Sequence, residues 1–474
     1  MPAHRHQQDR LRVAVVGAGP SGVYAAQGLV RDGTGPAVDV DVLDRLPCPY
    51  GLVRYGVAPD HEKIKSLQNT LRSVLEHPRI RFLGNVEVGA GGVPPDALLR
   101  AYHAVVYCVG AATDRRLGIP GEDLRGSHSA TDFVSWYSAH PDAAADGFTL
   151  GVRAAVVIGV GNVAVDVARV LARGAEELRP TDMPQPALES LARSTVTGVT
   201  MVGRRGPSQA KFTTKELREL GTLPDAETRV REDELSLDPG YRDPDGLPSA
   251  VRRNVTVLRG WAEAQAAAQA ETQAAGGAGR AARTRALTLR FYLRPVEILD
   301  DGAGAVRGVR FERTAPDGEG GVTGTGTYEE IEAQLVLRSV GYHGVPLEGL
   351  PFDARSGTVP HTAGRVLRDG ARSPGEYVAG WIKRGPTGVI GTNRPCAKET
   401  VGSLLEDADA LLGARGPLAD DPLDVLRAAG LRPVEWGGWL GIEAAEADLG
   451  RRLERPTVKI PDWDGLLTAA DLPD

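Results

Sequence analysis

Two stretches of the chain repeat the same order of an apolar run, a glycine-rich turn and a helical pattern. In the first stretch, the apolar residues 11–16 are followed by "GAGPSG" at 17–22 and by the Ala-rich segment 23–31. In the second stretch, an apolar run within 153–158 leads into a glycine turn at 159–164 and a helical pattern up to 173. Short continuous apolar runs bounded by turns are typical of buried parallel strands. The pattern therefore predicts two strand, turn and helix units.

The glycine spacing of both turns matches the dinucleotide-binding fingerprint. The spacing is G-x-G-x-x-G at 17–22 and G-x-G-x-x-A at 159–164. In such turns the first glycine allows the tight bend, the second lets a pyrophosphate approach the backbone, and the third packs the helix against the strand. Unpaired N–H groups at the helix N-terminus bind the phosphates. Because each fingerprint falls between a strand and a helix independently, the sequence predicts two nucleotide cofactors.

The two stretches differ at the end of the next predicted strand. The strand of the first stretch, at 37–45, ends at Asp44, a carboxylate placed to accept hydrogen bonds from ribose hydroxyls. The strand of the second stretch, at 195–206, ends instead at Arg204 and Arg205. A carboxylate would repel a 2′-phosphate, whereas guanidinium groups can bind one bidentately. The arginine pair therefore favours NADP in the second unit, with a solvated surface turn as the alternative.

The rest of the chain is interpreted from its strand patterns and composition. Apolar strands that end in glycine recur at 100–111 and at 333–346, where we expect the chain to return to the first domain. Strand patterns at 286–299 and 305–314 predict an antiparallel excursion. The Ala/Gln/Gly-rich segment 262–284 is expected to be a surface loop or a loose helix. The predicted fold class is α/β with two Rossmann-like dinucleotide-binding domains.

Charge and cysteine content exclude several function classes. The net charge of −7 over 474 residues argues against non-specific nucleic-acid binding, and no apolar run is long enough to predict a membrane span. The first residues lack an apolar leader, so we expect a cytoplasmic protein. Cys48, Cys108 and Cys396 lie far apart and form neither a redox pair nor a metal-ligand set. Redox chemistry would therefore need a bound organic cofactor, and no metal is expected.

Four further motifs resemble one enzyme family. They are "PYGLVRYGVAPDHEKIK" at 49–65, "GNVAVDVAR" at 161–169, "GRRGPSQAKFTTKELREL" at 203–220 and "GWIKRGPTGVIGTN" at 380–393. The chain resembles ferredoxin-NADP reductase of the adrenodoxin-reductase type, including its actinobacterial members. The resemblance implies a glutathione-reductase-like FAD domain at 1–112 and 337–474, with an NADP domain inserted at 113–336.

The resemblance also implies the residues that contact each cofactor. The implied FAD contacts are Gly17, Gly19, Ser21, Asp44, Leu52, Val88, Trp381, Gly388, Val389 and Ile390. The implied NADP contacts are Arg115, Val160, Gly161, Asn162, Val163, Arg204, Arg205, Glu216 and Gly388. Asp44 stands where the family often has Glu, and Val160 stands where relatives often have Asn. The substitution at Val160 removes any side-chain contact and leaves a backbone contact possible.

The implied reaction passes a hydride from NADPH to FAD and then single electrons to a ferredoxin, for example in a cytochrome P450 system. His61 and Glu219 match polar residues that modulate this transfer in the family. Their alternatives are a helix-flanking histidine and a solvated carboxylate. A basic surface for an acidic ferredoxin would include Lys63, Lys65, Lys211 and Lys215. We expect a monomer.

Three alternative functions share parts of this pattern. A thioredoxin-reductase-like disulfide reductase needs a CxxC or equivalent cysteine pair, which the sequence does not contain. A glutamate-synthase small-subunit-like oxidoreductase would also pass NADPH electrons through FAD, but its usual cysteine-rich N-terminal domain is not seen here. A sensor that binds both nucleotides without turnover would share both glycine turns.

Overall fold

Apolar runs form the central strands of both units into which the chain divides. The structure, a computed structural model, describes residues 10–31, 35–89, 91–111, 113–274, 284–416, 418 and 420–471. Unit 1 comprises the described residues of 1–113, 138–142 and 341–474, and unit 2 comprises those of 114–137 and 143–340. None of the described helices is long and apolar enough to cross a membrane.

The strands are numbered in chain order. They are β1 Leu11–Val16, β2 Val38–Leu43, β3 Ile80–Leu83, β4 Ala104–Tyr107, β5 Thr113–Asp114, β6 Ser127–Ser129, β7 Ala154–Ile158, β8 Gly198–Val202, β9 Ala226–Val230, β10 Arg285–Arg290, β11 Leu293–Asp300, β12 Val306–Pro316, β13 Val322–Glu332, β14 Leu335–Arg338, β15 Tyr342–His343, β16 His361–Thr362, β17 Arg365–Arg368 and β18 Ala371–Val378.

The α-helices are numbered in the same way. They are α1 Pro20–Leu29, α2 Leu52–Tyr55, α3 Glu62–Lys65, α4 Leu67–Leu75, α5 Pro95–Ala101, α6 Ala130–Tyr137, α7 Asn162–Ala172, α8 Ala175–Leu178, α9 Gln185–Ala192, α10 Thr214–Leu220, α11 Glu232–Leu235, α12 Pro239–Arg242, α13 Ser249–Ala274, α14 Trp381–Arg384, α15 Asn393–Glu406, α16 Ala408–Arg415, α17 Pro422–Ala428, α18 Trp436–Arg452 and α19 Trp463–Ala469. Short 3-10 turns lie at Pro207–Gln209 and Ile390–Thr392.

A seven-stranded sheet lies at the centre of unit 1. Its order is β16-β17-β18-β4-β1-β2-β3, and the five strands from β18 to β3 are parallel. Strand β1 is almost wholly buried, as expected for a parallel sheet covered on both faces. The strand order reverses between β1 and β4, where doubly wound sheets place their ligand crevice.

A six-stranded parallel sheet lies at the centre of unit 2. Its order is β6-β14-β7-β8-β10-β9, and the order reverses between β7 and β14. A separate antiparallel sheet, β11-β12-β13, belongs to the same unit. Both units therefore contain the sheet that a dinucleotide turn requires, and the predicted α/β fold class is confirmed.

Two segments, β10 and β14, differ from the sequence-based expectations, and a third, at 262–274, agrees with the expected helix. Strand β10 was predicted to be part of an antiparallel excursion, but it joins the parallel sheet. The prediction was wrong because alternation of apolar residues does not reveal strand direction. Strand β14 spans the predicted return at 337 and pairs with β7, so the return to unit 1 begins at Gly341. Helix α13 covers 249–274, and residues 275–283 of the predicted insertion lie outside the described residues.

The boundaries of the two units can be compared with those of the predicted domains. Residues 138–142, which the sequence analysis placed in the NADP domain, belong to unit 1. Their attachment there includes an ion pair between Asp142 and Arg45 at 2.5 Å and a hydrogen bond from Trp463 to Asp142 at 2.8 Å. Residue 112, the predicted first boundary, lies outside the described residues. The assignment of FAD to unit 1 and NADP to unit 2 stays a prediction.

Candidate nucleotide-binding sites

The turn after β1 contains two glycines that packing requires and a third that leaves space above the backbone. Gly17 has φ +113°, and a Cβ atom there would lie 2.5 Å from the Cys108 carbonyl oxygen, just after β4. A Cβ atom at Gly22 would overlap the carbonyl oxygen of Gly17. At Gly19, by contrast, the nearest atom to such a Cβ is the Gly51 Cα at 3.8 Å. Packing therefore requires the first and third glycines, whereas the second leaves room for a phosphate.

The N-terminus of α1 offers unfilled donors beside this turn. No side chain caps the helix at Gly19, and Pro20 occupies its first position. The Ser21 hydroxyl is buried and has no nitrogen or oxygen partner, although it lies beside the Cys108 thiol. A phosphate oxygen would fill both the helix N–H groups and this hydroxyl. These residues fit a bound pyrophosphate.

Asp44, the carboxylate after β2, is held by the backbone of its own unit. Its Oδ2 accepts from the Ala18 N–H at 2.6 Å, and its Oδ1 accepts from the Leu46 N–H at 2.9 Å. Burial raises the pKa of the Asp44 carboxyl, and the two N–H donors oppose that shift. Each oxygen keeps one lone pair for a further donor. The predicted ribose contact is compatible with this arrangement and stays a prediction.

Apolar side chains of unit 1 stand exposed at two of the predicted FAD contacts. Leu52 on α2 is 38% exposed, and Val389 is 60% exposed, the highest value among the exposed large hydrophobic residues of the described chain. The Trp381 side chain is half-buried, and its ring centroid lies 5.2 Å from that of Tyr342. Val88 is half-buried after β3. Exposed apolar groups of this kind are typical of a surface that a planar ligand covers.

The loop between α14 and α15 presents backbone N–H groups without acceptors. Gly388 has φ +83°, a conformation that favours glycine, and a Cβ atom there would overlap the Thr392 hydroxyl. Among the described residues, none accepts from the N–H of Val389 or Ile390. Such donors suit the oxygen and nitrogen edge of a ring that becomes negatively charged. The loop therefore fits the flavin contact predicted for 388–390.

The turn after β7 repeats the geometry of the turn after β1. Gly159 has φ +139°, and a Cβ atom there would overlap the carbonyl oxygen of Ser339, just after β14. At Gly161 such an atom would meet nothing within 4 Å, and no side chain caps α7. Ala164 in the third position has a fully buried methyl group. The second position is again the open one, as a pyrophosphate site requires.

Two other residues of this turn bind the neighbouring loop. The Asn162 Oδ1 accepts from the Thr213 N–H at 2.8 Å, and the Val160 carbonyl accepts from the Lys211 N–H at 2.9 Å. The side chains of Val160 and Val163 are half-buried against the core of unit 2. Asn162 and Val160 therefore hold the loop before α10 on the phosphate turn, and their own contacts with NADP stay predictions.

The arginine pair after β8 is fixed by its backbone and free at its side chains. The Arg204 carbonyl accepts from the Thr314 hydroxyl at 2.9 Å, and the Arg205 carbonyl accepts from the Tyr292 N–H at 3.3 Å. Within the described ranges, neither guanidinium group has an ion-pair partner, and the buried Nε of Arg205 has no hydrogen-bond partner. Unused arginine donors held on a fixed backbone fit an anion such as a 2′-phosphate.

Arg115 and Glu216 also have unused polar atoms. Arg115 is exposed and makes no ion pair with any residue in the described part of the chain. Glu216 on α10 is buried, and its Oε2 has no hydrogen-bond partner. A buried carboxylate oxygen without a partner is costly unless a ligand supplies a donor. Both residues are therefore compatible with the predicted NADP contacts.

Comparisons with known proteins identify the family. Residues 11–219 match the family model described as pyridine nucleotide-disulphide oxidoreductase. The chain is 44% identical to NADPH-ferredoxin reductase FprA of Mycobacterium tuberculosis, with 96% of this chain and 98% of the relative covered. It is 39% identical to the mitochondrial NADPH:adrenodoxin oxidoreductase of Arabidopsis thaliana, with 97% and 95% covered.

The chain belongs to the family of NADPH-ferredoxin and NADPH:adrenodoxin reductases. The solved structure of Mycobacterium tuberculosis FprA in complex with NADPH has a TM-score of 0.88 to it at 42% identity. That match covers 97% of this chain and 99% of the other. The predicted resemblance and the predicted enzyme class, an oxidoreductase, are therefore confirmed.

Within this family framework, the two predicted modulating residues lie in different units. His61 is buried in unit 1 directly before α3, and its side chain does not cap that helix. Glu219 on α10 of unit 2 pairs with the fully buried Arg169 of α7 and lies 3.5 Å from the Lys215 Nζ. Glu219 is therefore a partly exposed carboxylate that joins two helices. An influence of either residue on electron transfer stays a prediction.

Sequence reasoning missed the buried cations of unit 1, two of which lie inside the family motifs. Arg54 on α2 pairs with Glu446 on α18, and Lys383 on α14 pairs with Glu399 on α15. Arg54 lies within the motif "PYGLVRYG". An arginine among apolar residues could have indicated a buried charge there. Its partner stands 392 positions away and could not be found from local pattern.

Proposed function

We propose that this protein is a ferredoxin-NADP(+) reductase that binds FAD in unit 1 and NADP(H) in unit 2. One observation carries the proposal. Both units have an open glycine turn at an uncapped helix, but the strand that follows ends in a carboxylate in unit 1 and in two unpaired arginines in unit 2. This difference fits one cofactor with free ribose hydroxyls and another with a 2′-phosphate.

FAD would be held by the turn after β1, the carboxylate of Asp44 and the loop before α15. The Ser21 hydroxyl and the N-terminus of α1 would bind the pyrophosphate. The free N–H groups of Val389 and Ile390 would stabilise negative charge at the flavin ring. When bound, FAD supplies the conversion between two-electron transfer from NADPH and one-electron transfer to an iron-sulfur protein.

NADP(H) would be held by the turn after β7 and by the arginine pair. Gly161 leaves space for the pyrophosphate, and Arg204 and Arg205 would bind the 2′-phosphate. The proposal also includes contacts of Arg115 and Glu216 with NADP, and of Gly388 with the nicotinamide end. None of these residues needs to act as an acid or a base, because hydride transfer between two cofactors moves no separate proton in that step.

The electron acceptor in this proposal is a ferredoxin. The names of the relatives support it, since they are NADPH-ferredoxin and NADPH:adrenodoxin reductases. The exposed Lys63 on α3 and the exposed Lys211 and Lys215 in unit 2 offer positive charge to an acidic partner. We further propose that the protein acts in the cytoplasm as a monomer, which cell fractionation and sedimentation equilibrium would test.

An anaerobic NADPH titration of the purified protein tests the proposal. We expect flavin absorbance to bleach with about one NADPH per flavin, because one hydride carries the two electrons that FAD accepts. Reoxidation with [2Fe-2S], [3Fe-4S] and [4Fe-4S] ferredoxins, followed by cytochrome c reduction, then identifies the acceptor. Purification without flavin, or flavin that NADPH does not reduce, would overturn the proposal.

The same titration separates the remaining alternatives. A nucleotide sensor would bind FAD and NADP(H) without bleaching on a catalytic time scale. A glutamate-synthase small-subunit-like enzyme would bleach but would not reduce cytochrome c through any of the three ferredoxins.

A further inference from the structure

Residues 50–56, which we call the strap, pack directly on the phosphate turn of unit 1. The Tyr50 N–H donates to the Ala18 carbonyl at 2.9 Å. A Cβ atom at Gly51 would lie only 2.9 Å from the Cα of Gly19, the open glycine of the turn. Any shift of the strap would therefore move the backbone that surrounds the pyrophosphate position.

The strap begins with an unfavourable backbone conformation. Tyr50 is buried and has φ +83°, and Gly51 follows with φ +50°. A non-glycine residue in this region costs free energy and persists only where the surroundings impose it. The strap must therefore be held in place by contacts outside its own seven residues.

Three buried charged residues supply those contacts. Arg54 within the strap donates to both carboxylate oxygens of Glu446 on α18, at 3.1 and 2.6 Å. The Lys459 Nζ donates to the Arg54 carbonyl at 2.5 Å and to the Ser138 carbonyl at 3.2 Å. The exposed fractions are 4% for Arg54, 3% for Glu446 and 2% for Lys459.

The partners of the strap are themselves fixed. Glu446 Oε1 also accepts from the Ile460 N–H at 2.9 Å, which ties α18 to the segment that contains Lys459. The Arg54 guanidinium lies over the rings of Tyr55 and Trp439, at 5.0 and 5.1 Å from their centroids. These contacts hold the strap at both the side chain and the carbonyl of Arg54.

Burial of such charges is expensive, and a buried ion pair is a poor source of stability by itself. Its best-attested use is to impose one geometry on the elements that it joins. We propose that Arg54, Glu446 and Lys459 are positioning residues that hold the strap on the phosphate turn and thereby set the affinity for FAD. This inference rests on the proposed FAD site of unit 1.

The test compares two variants of this cluster with one control. Glu446→Gln keeps the shape of the side chain and removes the charge that balances Arg54, and Lys459→Met removes the donor to the strap carbonyl. Asp448→Asn is the control, because Asp448 lies on the same helix but forms an exposed ion pair with Arg451. The dissociation constant for FAD is measured on folded apoprotein by flavin fluorescence, beside that for NADP+.

We expect Glu446→Gln to weaken FAD binding at least about tenfold and Lys459→Met about threefold, while Asp448→Asn stays within about twofold, since a buried pair is costlier to break than an exposed one. Affinity for NADP+ should stay unchanged, because its predicted contacts in unit 2 and at Gly388 do not include the strap. Hydrogen exchange of the strap amides from Arg54 to Gly56 should be faster in both cluster variants without ligand.

Two results would overturn the inference: folded Lys459→Met with wild-type FAD affinity and wild-type exchange in the strap, or equal weakening of FAD and NADP+ binding. If Glu446→Gln does not fold, Lys459→Met decides. Wild-type protein that binds no FAD would instead refute the proposed function, and hydrogen exchange would still report whether the cluster holds the strap.

Discussion

The phosphate turns of the two units share one backbone geometry and differ in the side chains around it. In both, the first glycine has a positive φ, and a Cβ atom there would overlap a carbonyl oxygen just after the neighbouring strand. That oxygen belongs to Cys108 in unit 1 and to Ser339 in unit 2. The third position differs, because Gly22 has no room for a methyl group whereas Ala164 buries one. Helix α1 therefore lies closer to its turn than α7 does, at the same point of the same fold.

The charged groups that follow the turns differ in how they are used. Both oxygens of Asp44 accept from backbone N–H groups of their own unit, so the carboxylate shapes the loop before any ligand arrives. Arg204 and Arg205 have fixed backbones but unpaired guanidinium groups. In unit 1 the charged group is hydrogen-bonded within its own loop, whereas in unit 2 the charged groups remain free to bind a ligand. Four changes would break or sharpen this comparison.

The largest effect is expected from exchange of the third residue of each turn. Gly22→Ala should cost about 3 kcal/mol of unfolding free energy or more, because the new methyl group would overlap backbone that cannot retreat. Ala164→Gly should cost only about 1 to 2 kcal/mol, for lost helix propensity and a lost buried methyl group. Urea unfolding measures both. Equal losses would show that the two turns do not differ in helix approach.

Removal of the arginine pair comes next. Arg204→Ala combined with Arg205→Ala should raise KM for NADPH about a hundredfold, because each hydrogen bond to a charged group contributes about 1.5 to 3 kcal/mol. KM for NADH should change little, since NADH lacks the 2′-phosphate. Arg193→Ala, an exposed arginine elsewhere in unit 2, is the control. An equal rise in KM for NADPH and NADH would show that the two arginines do not bind the 2′-phosphate and form only a solvated surface turn.

A smaller effect is expected at the carboxylate of unit 1. Asp44→Asn should weaken FAD binding about tenfold, because an amide has one acceptor oxygen, whereas the loop alone uses both carboxylate oxygens and the ribose needs a further acceptor site. The dissociation constant for NADP+ should not change. Titration of the apoprotein with each nucleotide makes the measurement, and an unchanged FAD affinity would exclude Asp44 from the site.

The smallest effect is a pH dependence confined to unit 1. Because burial raises the pKa of Asp44 above 3.8, its carboxylate should begin to protonate at a higher pH than an ordinary aspartate. FAD affinity should therefore fall as the pH falls through this raised pKa. The contribution of Asp44 to apoprotein stability has the opposite sign, because the folded state holds the proton more tightly and loses stability as the pH rises. In Asp44→Asn, both dependences should weaken.

Local sequence patterns were enough to predict both phosphate turns and the charged residues that follow them. The glycine turns, Asp44 and the arginine pair each follow a strand within a few residues, so spacing along the chain predicted their places. The place of 138–142 in unit 1 and the ion pair of Arg54 with Glu446 depend on contacts between residues 97 to 392 positions apart. Strand β10 was misassigned because alternating side chains fit either strand direction.

The pairing of β18 with β4 has a consequence for synthesis on the ribosome. The central sheet of unit 1 contains strands that end at Tyr107 and Val378, which are 271 positions apart, and all of unit 2 is translated between them. At roughly 5 to 20 residues per second, the first half of that sheet waits about 14 to 54 seconds for its missing strand. Unit 2 can complete its core during this interval, whereas the apolar edge of β4 needs protection until β18 emerges.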